Sequence, residues 1–357
     1  MNNLNFLKII NQDISNVLLL DLNWKKFSDA TIVITGATGF IGSYIVRTLL
    51  ALNDADILDE PLKVVAMVRN ISTAKERFSD LVNNQYLSYI EWDLCKFSTP
   101  NIGDASFVIH AASNASPRFY NVDPLGTALP NSIGTYAMMR ALEKSKQAKG
   151  FVFISSSEVY GKLESDKQIT EKQFGGIDPC NIRSCYAESK RFGETLLTSW
   201  GRESEIPYFI VRPFHTYGPG LNENDGRVFA DFVFDVINDK PIVMKSGGFA
   251  VRAFCYISDA IAGLFTVLLK GSAGESYNLA NPRGAMSILE LANLLVSVAN
   301  SKNVRIQRTI REESDNYSES NLDVLLPDVS KLKSLGWQPK INPTKGFERM
   351  IKAYVNE

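Results

Sequence analysis

Tyr186 and Lys190 stand four residues apart in Cys185-Tyr186-Ala187-Glu188-Ser189-Lys190-Arg191, a run of good helix formers that sets both side chains on one helix face. A free phenol titrates near ~10, and an ammonium beside it favours the phenolate, so the pair is predicted to act as a base at neutral pH. Of the 13 tyrosines, no other is followed by lysine at this spacing. Upstream, Ile154-Ser155-Ser156-Ser157-Glu158-Val159-Tyr160-Gly161 closes another apolar run. If that run is a strand of a parallel sheet, its end is where ligands bind, and a serine there can hydrogen-bond a hydroxyl while Tyr186 deprotonates it.

A second constellation sits near the start of the chain. Gly36-Ala37-Thr38-Gly39-Phe40-Ile41-Gly42 falls between an apolar run and a helical pattern, and no other three glycines among the 23 share this spacing. Such glycines allow a tight turn, a close approach of backbone to a pyrophosphate, and close packing of helix on strand. The helix N-terminus then offers unpaired N–H groups and partial positive charge to phosphates. This predicts a bound dinucleotide. After the second strand come Arg69 and Asn70, where an acidic residue would favour NAD and an arginine favours the extra phosphate of NADP, so NADP is predicted ahead of NAD. Asp93 and Leu94, after the third strand, are placed beside the adenine. Ala111, Ala112 and Ser113, following His110 at the end of the fourth, are placed under the cofactor.

The elements that must position these groups are short apolar runs alternating with helical stretches. Strands are predicted at Thr31–Thr35, Lys63–Val68, Leu87–Trp92, Phe107–His110, Phe151–Ser155 and Tyr208–Val211, and a helix over Ser43–Leu50. The alternation means an α/β doubly wound parallel sheet. An acidic stretch, Asn53–Glu60, lengthens the first crossover, and Ser165–Asp178 reads as a surface loop. Beyond Pro213 the rhythm loosens, and Phe229–Ile237, Ile257–Leu269 and Ser287–Val298 read as helices of a smaller part. Before the first strand, Leu7, Ile10, Ile14, Val17 and Leu18 recur at helical spacing, predicting a helix packed on the body or on a second subunit.

Composition sets the class. The 357 residues are 45% hydrophobic and 22% charged with a formal net charge of -1, a balance that leaves no basic stretch for nucleic acid. Cys95, Cys180, Cys185 and Cys255 lack CxxC spacing, and only His110 and His215 are present, which argues against a disulfide framework and a zinc site. The chain shows no signal-peptide pattern and no run approaching the ~18 apolar residues of a membrane span, so a cytoplasmic protein without membrane contact is expected.

Together the glycine loop, the serine-bearing strand end and the Tyr186/Lys190 pair resemble the extended short-chain dehydrogenase/reductases, in their nucleotide-sugar-modifying branch, from Thr31 onward. The resemblance implies a Rossmann-like sheet over residues 30–212 and a smaller α/β substrate-binding part over 213–357, with about 252–270 returning to the first. Residues 1–29 form an extension without counterpart. It implies Ser156, Tyr186 and Lys190 as catalytic residues, with Lys190 also holding the nicotinamide ribose, and a hydride leaving carbon 4 of a hexose carried on a nucleoside diphosphate. Ser157-Glu158 is similar to the pair in UDP-glucuronate decarboxylases and GDP-mannose 4,6-dehydratases, and makes Glu158 catalytic. The segments Ala115-Ser116-Pro117 followed by Tyr120, Arg183-Ser184-Cys185-Tyr186, Asn224-Asp225-Gly226-Arg227-Val228 and Arg252-Ala253-Phe254-Cys255-Tyr256 look like decarboxylase segments. They imply substrate contacts from Ser116, Pro117, Ser156, Ser157, His215, Arg227, Val228 and Arg252, with Pro213 beside the cofactor and a homodimer formed through the Tyr186 helix. His215 stands where decarboxylases commonly have asparagine. A 4,6-dehydratase, a 4-epimerase, an NADPH-dependent 4-keto-sugar reductase and a dinucleotide-binding regulator remain alternatives.

Overall fold

The structure, a computed structural model, describes residues 4–163, 168–299, 301–309 and 324–355. Helix α1 (Leu4–Leu18) precedes β1 (Thr31–Thr35), α2 (Phe40–Asp54), β2 (Lys63–Val68), α3 (Ile71–Arg77), β3 (Leu87–Glu91) and β4 (Phe107–His110). Short helices α4 (Pro117–Val122), α5 (Pro124–Leu129) and α6 (Thr135–Leu142) lead to β5 (Gly150–Ile154), α7 (Ser184–Trp200) and β6 (Tyr208–Pro213). Then come β7 (His215–Tyr217), α8 (Val228–Ile237), β8 (Ile242–Met244), β9 (Val251–Tyr256), α9 (Ile257–Lys270) and β10 (Ser276–Leu279). The remainder is β11 (Ala285–Ser287), α10 (Ile288–Val298), β12 (Ile306–Arg308), β13 (Val324–Leu325), α11 (Ser330–Lys333) and α12 (Pro343–Tyr354).

Seven strands pair in parallel in the order β10-β6-β5-β4-β1-β2-β3. The inner strands are buried on both faces, which is why they read as unbroken apolar runs; β3, at the edge, is half-exposed. Strand order reverses between β1 and β4, and the crevice at their C-terminal ends is the natural ligand site of such a sheet. A smaller sheet gathers β9 with β7, β11 and β13, while α9 lies back against β6 and β10 of the large one.

Three features differ from the sequence reading. Helix α2 starts at Phe40 rather than Ser43, because the turn is complete at Gly39 and Gly42 already lies in the first helical turn. The seventh strand, β10, escapes notice because Ser-Tyr-Asn-Leu has neither alternation nor an apolar run. The stretch read as a surface loop, of which residues 165–167 lie outside the described part, is pinned inward: Ile169 is buried, its carbonyl accepts from Asn278 Nδ2 at 2.8 Å, and the Glu171 carboxylate accepts from the Asn278 backbone N–H at 2.8 Å.

The amphipathic face of α1 packs on the body, against α2, α9 and α12. Its one buried acid, Asp13, accepts from Arg349 Nη2 of α12 at 2.6 Å and from the hydroxyl of Tyr256 at 2.8 Å. Burial raises the Asp13 carboxyl even though Arg349 opposes it, so the pair is held for its partners rather than for a net electrostatic gain. No described helix is long and apolar enough to cross a membrane.

Candidate active site

Strand β1 delivers the chain into Gly36 at φ +63, a conformation glycine adopts without steric cost. A Cβ at Gly36 would stand 2.6 Å from Ala112 Cα, and one at Gly42 would stand 2.2 Å from the Gly36 carbonyl oxygen. Both glycines are therefore required by close backbone approach. Beneath the loop, Thr35 Oγ1 accepts from the backbone N–H groups of Ala111 and Ala112, each at 3.1 Å. With both lone pairs taken, that hydroxyl donates to His110 Nδ1 at 2.7 Å, leaving Nε2–H to donate to the Pro130 carbonyl at 3.0 Å. His110 is accordingly a neutral, wholly buried spacer, its pKa lowered to about 3 by burial and by Lys190.

Above the loop opens a cavity of about 670 Å³. From the sequence-predicted set it brings together Gly36, Gly39, Phe40, Ile41, Gly42, Ala111, Ser113, Pro117, Ser156, Ser157, Glu158, Tyr186, Lys190, Pro213, His215, Arg227, Val228 and Arg252. The glycine cradle and the bare N-terminus of α2 at one end fit a dinucleotide's diphosphate.

Tyr186 and Lys190 project from the buried face of α7, as their spacing requires. Tyr186 stacks on Tyr120 at 5.2 Å between ring centroids, and its hydroxyl is hydrogen-bonded to Ser156, whose Oγ also accepts from the Glu158 backbone N–H at 3.2 Å. Lys190 Nζ donates to the Ile154 carbonyl at 2.6 Å and lies 4.8 Å from the centre of the Phe153 ring. Burial works against the phenolate that the spacing predicts. Burial pushes Tyr186 up to about 12 against the Ser156 hydrogen bond, and burial pushes Lys190 itself down to about 7. Spacing shows that two groups share a face; it carries no information on how dry that face is.

The opposite wall is cationic. Arg227 is bound through Nε and Nη2 to the Asp225 carboxylate, and its guanidinium lies over Phe229. Arg252 Nη1 donates to the Val251 carbonyl at 2.9 Å, and Arg118 and Lys245 also line the cavity. Between them His215 Nδ1 is buried with no protein partner, and burial, then Arg252 and Arg227, holds this imidazole neutral.

Other residues singled out in the sequence do not reach the cavity. Asn70 Oδ1 caps α3 by accepting from the Thr73 N–H at 3.0 Å, and Asp93 Oδ1 accepts from the Cys95 N–H at 3.0 Å. Leu94 is buried against Gly134, and Ser116 donates to the Asp225 carbonyl, bracing the Arg227 loop rather than facing the cavity. Ala112 lies under Gly36, while Thr38 and the exposed Arg69 stand outside the lining. Tyr120 and Arg183, marked in the sequence only as parts of decarboxylase-like segments, turn out to line the cavity beside Tyr186. Arg183 Nη1 meets Glu158 Oε2 at 3.3 Å, and its guanidinium lies 5.9 Å from the Tyr120 ring centre, tying together the three elements around the phenol. The position of Arg183, one helical turn before Tyr186 on the same face, was the available signal.

Comparison with known proteins agrees with this geometry. Residues 32–280 match the family model described as the NAD dependent epimerase/dehydratase family. UDP-glucuronic acid decarboxylase 4 of Arabidopsis thaliana is 33% identical over 90% of this chain and 68% of its own, and decarboxylase 6 of the same plant is 32% identical over 90% and 88%. Among solved structures, a UDP-glucuronic acid 4-epimerase from Bacillus cereus, in complex with UDP-glucuronic acid and NAD, superposes with a TM-score of 0.75 at 23% identity, covering 91% of this chain and 98% of that one. A UDP-glucose 4-epimerase from Thermotoga maritima gives 0.74 at 21%, with the same coverage. With the family model spanning most of the chain, the parallel sheet behind the glycine loop and the Tyr186/Lys190 helix beside it, the chain belongs to the NAD-dependent epimerase/dehydratase family.

Proposed function

We propose that the protein decarboxylates a nucleoside-diphosphate uronic acid, UDP-glucuronate in the first instance. Gly36, Gly39, Phe40, Ile41 and Gly42 hold the dinucleotide diphosphate, and Lys190 reaches the nicotinamide ribose. The bound nicotinamide supplies the acceptor for the hydrogen on carbon 4. Tyr186 takes the proton of the carbon 4 hydroxyl, Ser156 orients that hydroxyl, and Lys190 balances the phenolate charge. With a ketone at carbon 4, the carbon 6 carboxylate is that of a β-keto acid. The bond from carbon 5 to carbon 6 breaks, its electrons settle on the carbonyl oxygen, and the Tyr186 hydroxyl returns a proton there. Carbon 5 then takes a proton from water as the enol proton goes back to Tyr186, and carbon 4 recovers its hydride while Tyr186 protonates its oxygen, so the cofactor ends oxidised as it began. Arg227, Arg252 and His215 receive the diphosphate and the sugar carboxylate, a task suited to planar donors.

The observation that carries decarboxylation over dehydration is the pairing of Glu158 with Arg183. Dehydration needs an acid for the leaving hydroxyl as well as a base at carbon 5, and Ser157 occupies the neighbouring position while Glu158 is engaged. Incubation with UDP-glucuronate, dTDP-glucose and GDP-mannose, each with NAD or NADP, followed by mass spectrometry, tests this. Loss of carbon dioxide from the uronate is expected. Loss of water from a hexose assigns dehydration instead, and no mass change points to epimerisation or reduction of a keto sugar.

NADP is proposed ahead of NAD because Arg69 stands exposed at the end of β2, beside the glycine loop. Arg69→Ala should weaken NADP binding by about tenfold and NAD binding little, from the loss of one charge-assisted contact. Equal weakening of both, by fluorescence titration, removes the preference. A homodimer is proposed through α5, α6 and α7, which pack together and expose Leu125, Tyr136 and Phe192 at 69%, 52% and 52%. Sedimentation should give twice the chain mass, and Phe192→Asp should reduce it to the single chain; an unchanged mass refutes this contact. A cytoplasmic setting is proposed with it, from the cysteines left unpaired.

A further inference from the structure

Glu194 lies one helical turn beyond Lys190 on α7, its side chain only 13% exposed. Its Oε1 accepts from the Ser155 hydroxyl at 2.5 Å and from Arg212 Nε at 2.9 Å, and its Oε2 accepts from Arg212 Nη2 at 2.6 Å. Arg212 Nη1 turns the other way, donating to the Tyr160 hydroxyl and the Glu171 carbonyl, both at 3.0 Å. Tyr160 donates in turn to Asn278 Oδ1 at 2.5 Å, anchoring the network on β10. The guanidinium is thus drawn toward β10, while the carboxylate stays against α7 and the end of β5.

That placement answers a need the site creates. Lys190 is only 2% exposed, and a buried amine gives up its proton unless a negative group faces it. The titratable or charged groups on the elements packed against this stretch of α7 are the exposed Arg118 and the buried Tyr120 of α4, Glu158 and Tyr160 of the turn after β5, the half-exposed Tyr136 of α6 and, at the far end of α6, the paired Arg140 and Glu143. His110 of β4 is neutral, Tyr186 keeps its proton, and Glu158 is paired with Arg183. Glu194 is the group that pulls the amine back toward its charged form.

We propose that Glu194, gripped by Arg212 and Ser155, is a positioning residue for Lys190: its carboxylate favours the charged form of the amine and steadies the Ile154–Ser156 turn. Ser155 ties this turn to the carboxylate, and the same turn carries the Ile154 carbonyl that Lys190 donates to and the Ser156 hydroxyl beside Tyr186. The inference rests on the reading of Lys190 as the active-site cation. Its test is the titration of Lys190 Nζ by heteronuclear NMR in the cofactor-free protein, the signal assigned by its loss in Lys190→Arg. Glu194→Gln should lower the midpoint by about one pH unit or more, a tenfold loss of proton affinity. Glu194→Asp should hold the midpoint near native. The alkaline limb of turnover should move down with the midpoint in Glu194→Gln. Should Glu194→Gln fail to fold with Arg212 left unpaired, the double variant Glu194→Gln/Arg212→Gln takes its place under the same criterion. An unmoved midpoint, with or without loss of activity, overturns the proposal. A native protein inactive on every nucleotide sugar overturns the reaction assignment instead, and the titration reads independently of it.

Discussion

Tyr186→Phe should reduce turnover by about a thousandfold while leaving cofactor and nucleotide-sugar binding nearly unchanged. The substitution removes one oxygen from a ring that stacks on Tyr120, so the fold and cavity shape should persist. What disappears is the group proposed to exchange a proton with the oxygen on carbon 4. The native phenol, pushed up to about 12 by burial, is protonated at neutral pH in the absence of ligands. The ultraviolet difference between native and variant should therefore show no tyrosinate at about pH 8 in the cofactor-free protein. A raised tyrosine must lose its proton to act, so native turnover should climb with pH on its acid side, and that limb should vanish in the variant's residual activity. Turnover within about twofold of native would refute the assignment of Tyr186 as the acid and base.

Gly36→Ala should weaken dinucleotide binding by about a hundredfold and lower stability by about 2–3 kcal/mol. The new methyl meets Ala112 Cα at 2.6 Å and sits on a residue at φ +63, so strain and overpacking act together. Relief requires the loop to move away from β4, which misaligns the N–H groups at the start of α2. Isothermal titration with either dinucleotide and urea unfolding measure the two effects. Native-like affinity would show that the cradle is not where the diphosphate sits.

These effects were readable to different degrees before any coordinates. The inner strands were legible because a sheet buried on both faces demands continuous apolar runs, and Thr31–Thr35 and Lys63–Val68 coincide with β1 and β2. The glycine spacing and the Tyr186/Lys190 spacing were legible because both are local geometry. Strand β10 was not, since its place beside β6 depends on long-range pairing rather than on its own residues. Asn70 shows the opposite case, a structural task that the strand-end position did not signal. Position at a strand end suggested a ligand, and the same short polar side chain before a helix also caps its backbone. Protonation states were beyond reach: burial sets Tyr186, Lys190 and His110 apart from their free values, and burial is a property of the assembled fold.

The contact between α1 and α12 has a consequence for how the molecule comes into being. Asp13 and its partner Arg349 are 336 residues apart along the chain. During synthesis the first helix leaves the ribosome with its apolar stripe and its acid facing nothing, and the partner emerges only after the whole seven-stranded sheet is made. Docking of α12 on α1 is then a closing step, in which a loop of 336 residues is sealed by one ion pair and a patch of aliphatic side chains, onto an acid that two tyrosine hydroxyls already reach. Until that moment the part of the stripe that faces α12 stays uncovered even though α2 and α9 are already made, the kind of segment that chaperones hold and that neighbouring chains on a polysome can capture.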